Sequence, residues 1–168
     1  MIVKHVSMRS LGRSDFADLA SYITDTQSKD HRLGQVRFTN CAALTLKAAI
    51  EEVLATQQLN TRASGDKTYH LIVSFRAGEQ PDAATLGAIE QRICAGLGFG
   101  EHQRVSALHL DTDNLHLHLA INKIHPRRHR MHEPFGAYRT LAELCQVMER
   151  DYRLQPDNHE PHQRLSQA

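Results

Sequence analysis

His109-Leu-Asp-Thr-Asp-Asn-Leu-His116-Leu-His118 decides how this chain is read. Side chains alternate faces along a strand, so His116 and His118 point one way while Leu115, Leu117 and Leu119 point the other. The upstream run Arg104-Val-Ser-Ala-Leu-His-Leu-Asp111 is also strand-like, and Asp-Thr-Asp-Asn between the runs is turn chemistry. A tight turn centred on Thr112 and Asp113 sets Asp111 opposite Asn114 and His109 opposite His116, with Cβ atoms roughly 5 Å apart. His118 lies one pleat further along. Three imidazoles from two adjacent strands then share one wet face, which is the pattern of a metal site. A His-X-His pair alone is more often ordinary surface, and it is the third histidine at hairpin spacing that favours the metal. A loop of odd length would put His109 on the other face.

The chain has 168 residues, enough for one domain with a real core, and its formal net charge of +1 does not advertise a purely electrostatic nucleic-acid binder. Apolar residues make up 40% and charged residues 23%, as in a soluble globular protein. No apolar run reaches membrane-spanning length and the first residues are no signal peptide, so the expected compartment is the cytoplasm, without membrane insertion. Cys41, Cys94 and Cys145 are odd in number and far apart, which argues against both a disulfide framework and a thiolate cluster. The 12 histidines are the anomaly of the composition.

Periodicity predicts a strand over residues 2–8 and a helix starting at Ser14 as N-cap, with Phe16, Leu19, Ala20 and Ile23 at helical spacing. A short strand at 36–39 precedes a helix at 43–59, whose sides are marked by Leu44 and Ala48. A strand follows at 68–76, a helix at 82–97 stopping at Gly98, the histidine hairpin, and a helix at 137–152 with a stripe through Tyr138, Leu141, Leu144, Cys145 and Met148. The expected fold class is α+β: a mainly antiparallel central sheet, helices on one face, and an open metal-bearing face. Residues 1–154 read as one domain and 155–168 as a polar tail or the start of a linker to a further region.

In the strand at 68–76, Tyr69, Leu71, Val73 and Phe75 form the core side, so His70, Ile72, Ser74 and Arg76 fall on the other. Ser74 and Arg76 can offer a hydroxyl and a guanidinium to a phosphate there; an ordinary polar surface explains them equally well. After the histidine strand, Lys123-Ile-His-Pro-Arg127-Arg128-His-Arg130 carries four fixed positive charges. Charge runs are usually solvated loops, but Arg127, Arg128 and Arg130 tethered to a metal-bearing strand suit an anionic chain.

The segments Lys4-His5-Val6, Tyr22-Ile-Thr-Asp25, Lys67-Thr-Tyr-His-Leu-Ile-Val-Ser74-Phe-Arg-Ala-Gly78, the His109 to His118 run and Asn122-Lys-Ile-His125-Pro together resemble the MobP-type conjugative relaxases of the His-hydrophobic-His endonuclease superfamily. The resemblance runs over most of the chain. It implies site- and strand-specific nicking and rejoining of DNA at a plasmid origin of transfer, through a tyrosine that stays joined to the 5′ end. By the same resemblance Tyr22 is the nucleophile, Ser74 helps hold the DNA, and His109, His116 and His118 hold a divalent metal, Mg²⁺ or Mn²⁺. It further implies single-stranded origin DNA, accessory DNA-binding proteins of a relaxosome and the coupling protein of a type IV secretion system as partners.

The residues themselves support part of this. Tyr22 falls at the edge of the apolar stripe of its helix, where its hydroxyl can reach solvent; an amphipathic tyrosine at a helix boundary has the same placement. Phenols ionise near pH ~10, so a tyrosine nucleophile needs a proton acceptor. Asp111 and Asp113, beside the histidines, are the candidates for that role or for orienting a ring. Three neutral imidazoles suit Mn²⁺ or Zn²⁺ better than Mg²⁺, which points to a labile site completed by waters and phosphate oxygens. Two other classes fit the pattern less well. A replication initiator or transposase of the superfamily would carry its tyrosine on a helix after the histidines with a lysine three residues on, but Leu141 follows Tyr138 and Gln155 follows Tyr152 at that offset. A non-catalytic single-strand binding module would display aromatic platforms, and this chain has no tryptophan and 5% aromatics.

Overall fold

The computed structural model describes residues 1–8, 15–25, 32–111 and 113–159. Strands β4 (Arg104–Asp111) and β5 (Asn114–Asn122) form the expected hairpin, with Asp111 opposite Asn114 and His109 opposite His116. Leu115, Leu117 and Leu119 are buried while His116 and His118 are half-buried, so the alternation holds along the strand. On the other side of β5, strand β3 (Thr68–Ser74) sets Ser74 opposite His116, Ile72 opposite His118 and His70 opposite Ala120. Strands β1 (Ile2–Val6) and β2 (Arg32–Thr39) complete a five-stranded, fully antiparallel sheet in the order β1-β3-β5-β4-β2.

Helices α3 (Ala83–Gly96) and α4 (Ala137–Asp151) cover the leucine face. Ile89, Ile93, Leu141, Cys145 and Met148 meet Leu71, Val73, Leu117, Leu119 and Ile121 there in one buried cluster. The α+β class stands, but the helices are not confined to that face. Helix α1 (Phe16–Ile23) buries Phe16, Leu19, Ala20 and Ile23, and α2 (Leu46–Gln58) buries Ala49 and Val53, against Val105, Ala107 and Ala120. Register places these three sheet residues on the same face as His109 and His118. That face therefore changes character along the strands, wet at the hairpin turn and apolar towards the other end. Its alanines are small enough for a helix to lie close, and the expectation of a wholly open histidine face is corrected accordingly.

Local boundaries follow capping. Asp15 is the N-cap of α1, its carboxylate accepting from the Asp18 amide at 2.7 Å, whereas Ser14, expected in that role, lies outside the described residues. Thr45 caps α2, leaving Leu44 before the helix and 91% exposed, not on its buried side. Tyr138 is half-exposed, at the edge of the α4 stripe. The polar end does not leave the domain at Gln155. Its amide binds Glu79 at 3.2 Å and His159 is buried against Glu149 at 2.9 Å; residues 160–168 lie outside the described ones. Among the described residues no helix is long and apolar enough to cross a membrane.

A buried ion network ties α3 to the sheet. Glu90 accepts from Arg104 Nε at 2.7 Å and from Arg37 Nη2 at 3.1 Å, and the side chains of Glu90 and Arg104 are each 2% exposed. Removing one member leaves a desolvated charge, so Glu90→Ala should cost about 3–5 kcal/mol. Urea unfolding checks this, with the paired change Glu90→Leu and Arg104→Met expected to cost markedly less.

Candidate active site

The C-terminal end of α1 meets the wet end of the histidine face. Burial of its four apolar residues fixes the helix on the alanines, and Thr24 closes it, its hydroxyl donating to the Ala20 carbonyl at 2.7 Å. The Ile23 carbonyl then accepts from His109 Nε2 at 2.5 Å. Tyr22, one residue before that carbonyl, is 44% exposed. A hydrogen bond from β4 thus pins the helix turn that carries the tyrosine.

The other imidazoles are held from β3. Ser74 Oγ lies 3.1 Å from His116 Nδ1, and His70 Nε2 lies 3.4 Å from His118 Nδ1. The rings of His109 and His118 are 4.4 Å apart, centre to centre. Fixing one ring nitrogen of a histidine by a neighbour sets its tautomer and aims the other, which is how metal-binding histidines are prepared. The donor set and its placement on adjacent strands fit a divalent transition metal. Among the described residues no three His, Cys, Asp or Glu side chains converge on a metal position as they stand.

His70 was not among the residues expected here, although its parity placed it on this face. It is 1% exposed, and burial, with His5 adding a smaller effect, lowers its pKa to about 4. An unfolded histidine ionises near pH ~6.5, so the unfolded chain takes up this proton first. Stability is complete above that pH and is lost as pH falls towards 4, by about 3 kcal/mol for this group. Urea midpoints measured in chelator at both ends of this window should differ less in His70→Gln than in the parent.

A family model described as "Relaxase: MobA/VirD2-like, nuclease domain" matches residues 22–154, from Tyr22 through Ser74 and all three histidines. The chain belongs to the MobA/VirD2-like relaxases. It is 73% identical over 164 residues to "Protein TraI" of Escherichia coli, covering 98% of this chain and 22% of that protein. A second TraI from the same species is 68% identical over 167 residues, covering 99% of this chain and 23% of that protein. The "T-DNA border endonuclease VirD2" of Rhizobium radiobacter is 38% identical over 61 residues, 34% of this chain and 14% of that protein. The chain therefore spans less than a quarter of the length of the TraI relatives it matches.

In this relaxase the later tyrosines are on the wrong side for the histidines. Tyr138 sits on α4, which packs against the leucine face, and Tyr152 ends that helix beneath Arg92, 5.6 Å from its ring centre. Of the remaining expected residues, Asp113 is exposed and its carbonyl accepts from the Gly78 amide at 3.2 Å; Asp111 lies in β4, with its side chain outside the described ones. Arg76 falls beyond the end of β3 and donates to the Pro156 carbonyl at 2.9 Å. Arg127, Arg128 and Arg130 follow the far end of β5, so they are not beside the histidines. Asn122 lies six steps along the strand from His116, about 20 Å at the rise of a strand. That is about six stacked nucleotides of a single strand.

Proposed function

We propose that this relaxase domain nicks one DNA strand at an origin of transfer through a 5′-phosphotyrosine on Tyr22 and later rejoins it. The observation that carries the reading is the bond between His109 and the Ile23 carbonyl, which sets the turn bearing Tyr22 against the histidine face. Tyr22 Oη attacks the scissile phosphorus, the phosphorus to 3′-oxygen bond breaks, and the 3′-oxygen leaves as a hydroxyl. The phenolic proton goes to a base, the role assigned to Asp113 or Asp111 from their place in the sequence beside the histidines, and the departing oxygen is protonated in turn. A divalent ion held by His109, His116 and His118, Mg²⁺ or Mn²⁺, would supply charge neutralisation on the phosphate oxygens. Ser74 orients His116 and lies on the same face to meet the strand. The ester keeps roughly the energy of the bond it replaced, so a 3′-hydroxyl can reverse the step.

Arg76, Arg127, Arg128 and Arg130 are assigned to the salt-sensitive hold on the strand. The same reading sets this domain in conjugative transfer in the bacterial cytoplasm, with relaxosome proteins and a secretion coupling protein as partners; its support is membership of the MobA/VirD2-like relaxases. The test is strand transfer. Protein incubated with pooled single-stranded plasmid segments and Mn²⁺ should form a covalent adduct, and a second oligonucleotide ending at the nick should recover a hybrid strand. Accumulation of hydrolysed ends with no hybrid product would make this a nuclease and not a relaxase.

A further inference from the structure

A second group of histidines, His102, His125 and His132, lies at the opposite end of β5 in a cleft of about 460 Å³, lined also by Arg128, Arg130, Glu101, Met131 and small residues of the α3 end. Its volume is within the range of ligand pockets. The proton positions on the three rings are set by their partners. His102 Nδ1 donates to the Asn122 carbonyl at 2.7 Å and His132 Nε2 donates to the Leu97 carbonyl at 2.7 Å. His125 Nδ1 accepts from two backbone amides, Arg127 and Arg128, each at 3.1 Å. His125 therefore carries its proton on Nε2. That atom is buried without a hydrogen-bond partner; its nearest carboxylate oxygen, of Glu101, is 3.7 Å away.

These tautomers argue against a metal. The ring of His125 presents a proton, not a lone pair, and the two remaining imidazoles fall short of the three protein ligands a bound transition metal usually has. They suit a nucleobase instead. The ring of His125, a donor at Nε2, packs against that of His102, an acceptor at Nε2, the two ring centres 5.3 Å apart and nearly perpendicular, and base edges present adjacent acceptors and donors. At the rim Arg127 is engaged by Glu101, whereas among the described residues Arg128 and Arg130 have no carboxylate partner. The wall is kept flat by Ala95, Gly98 and Gly100; Gly98 has φ +85°, and a Cβ there would come 2.5 Å from His132 Nε2.

We propose that this cleft takes one nucleotide of the bound strand, its base against His102 and His125 and its phosphate at Arg128 and Arg130. The inference rests on the reading of the domain as a DNA-nicking one and adds a nucleotide-holding position about 20 Å from the scissile phosphate. Both rings accept the edges of several bases, so the position fixes the register of the strand more than its sequence.

The experiment is a titration of ¹⁵N-labelled protein with each of the four deoxynucleoside 5′-monophosphates, inorganic phosphate and Zn²⁺, following the imidazole resonances of His102, His125 and His132. At least one nucleotide should shift all three saturably and bind about 10-fold more tightly than phosphate, the size expected for one well-made buried hydrogen bond. Ala95→Leu, which fills the cleft from an exposed helix position, should weaken that binding about 10-fold, as should His125→Asn, which keeps an acceptor for the two amides. Equal affinity for phosphate, saturation by Zn²⁺ alone, no shift with any nucleotide, or an unchanged Ala95→Leu each overturns the proposal. Adduct formation at Tyr22 is scored separately. Nucleotide binding without any adduct would sink the nicking reading, and adduct without nucleotide binding would sink this one.

Discussion

Tyr22→Phe should form no covalent adduct with any DNA segment that the parent attacks, with residual cleavage below about one thousandth of the parent rate. The change removes one oxygen from a side chain that is already 44% exposed, so neither the core nor the docking of α1 through Phe16, Leu19, Ala20 and Ile23 is touched. Affinity for the strand should therefore survive within about 2-fold, since it rests on arginines elsewhere. Parallel changes at Tyr69, Tyr138 and Tyr152 separate the nucleophile from tyrosines in general. Tyr69 is buried under a stacked His5 and the other two belong to the α4 side, so their adduct should form in normal yield wherever the variant folds. A full adduct on Tyr22→Phe would remove the central residue of the proposed mechanism.

The second large effect concerns the imidazoles. Treatment with chelator, or His118→Ala, should lower nicking by at least about 100-fold while leaving the urea midpoint nearly unchanged, because His118 is only half-buried. Added Mn²⁺ should restore the chelated parent and not the alanine variant. Ser74→Ala removes the hydroxyl 3.1 Å from His116 and should cost about 10–100-fold with the metal affinity lowered in step. Nicking that persists undiminished in chelator would leave the histidines with a structural role.

The hairpin was legible because two independent signals agree on its register. The alternation of leucine with histidine fixes the face, and Asp-Thr-Asp-Asn fixes the turn, so one residue of slip would have put His109 on the leucine side. The placement of α1 was not legible. Its stripe was plain in Phe16, Leu19, Ala20 and Ile23, but nothing local says which face of a sheet receives a stripe. That was decided by Ala107 and Ala120, small residues that no local pattern marks as the seat of a helix. The arginines show a different gap. A run of charge reports sign and density, and only the strand direction reveals that Arg127, Arg128 and Arg130 emerge at the end away from His109, His116 and His118. His125 carried a motif whose meaning depends on two amides of its own loop, and no spacing rule contains them.

Ala107 and Ala120 have a consequence beyond packing. Both are fully buried beneath α1, so two methyl groups set how far the tyrosine stands from the imidazoles. Since α1 is seated on them, the nucleophile proposed at Tyr22 would be a fixed post, and through a round of cutting and resealing it would be the strand ends that travel. A valine at either position would lift that helix by a fraction of its own height while changing none of the proposed reacting groups chemically. Reach, and with it the proposed balance between holding a cut end and giving it back, would then be adjustable from two side chains sealed off from solvent.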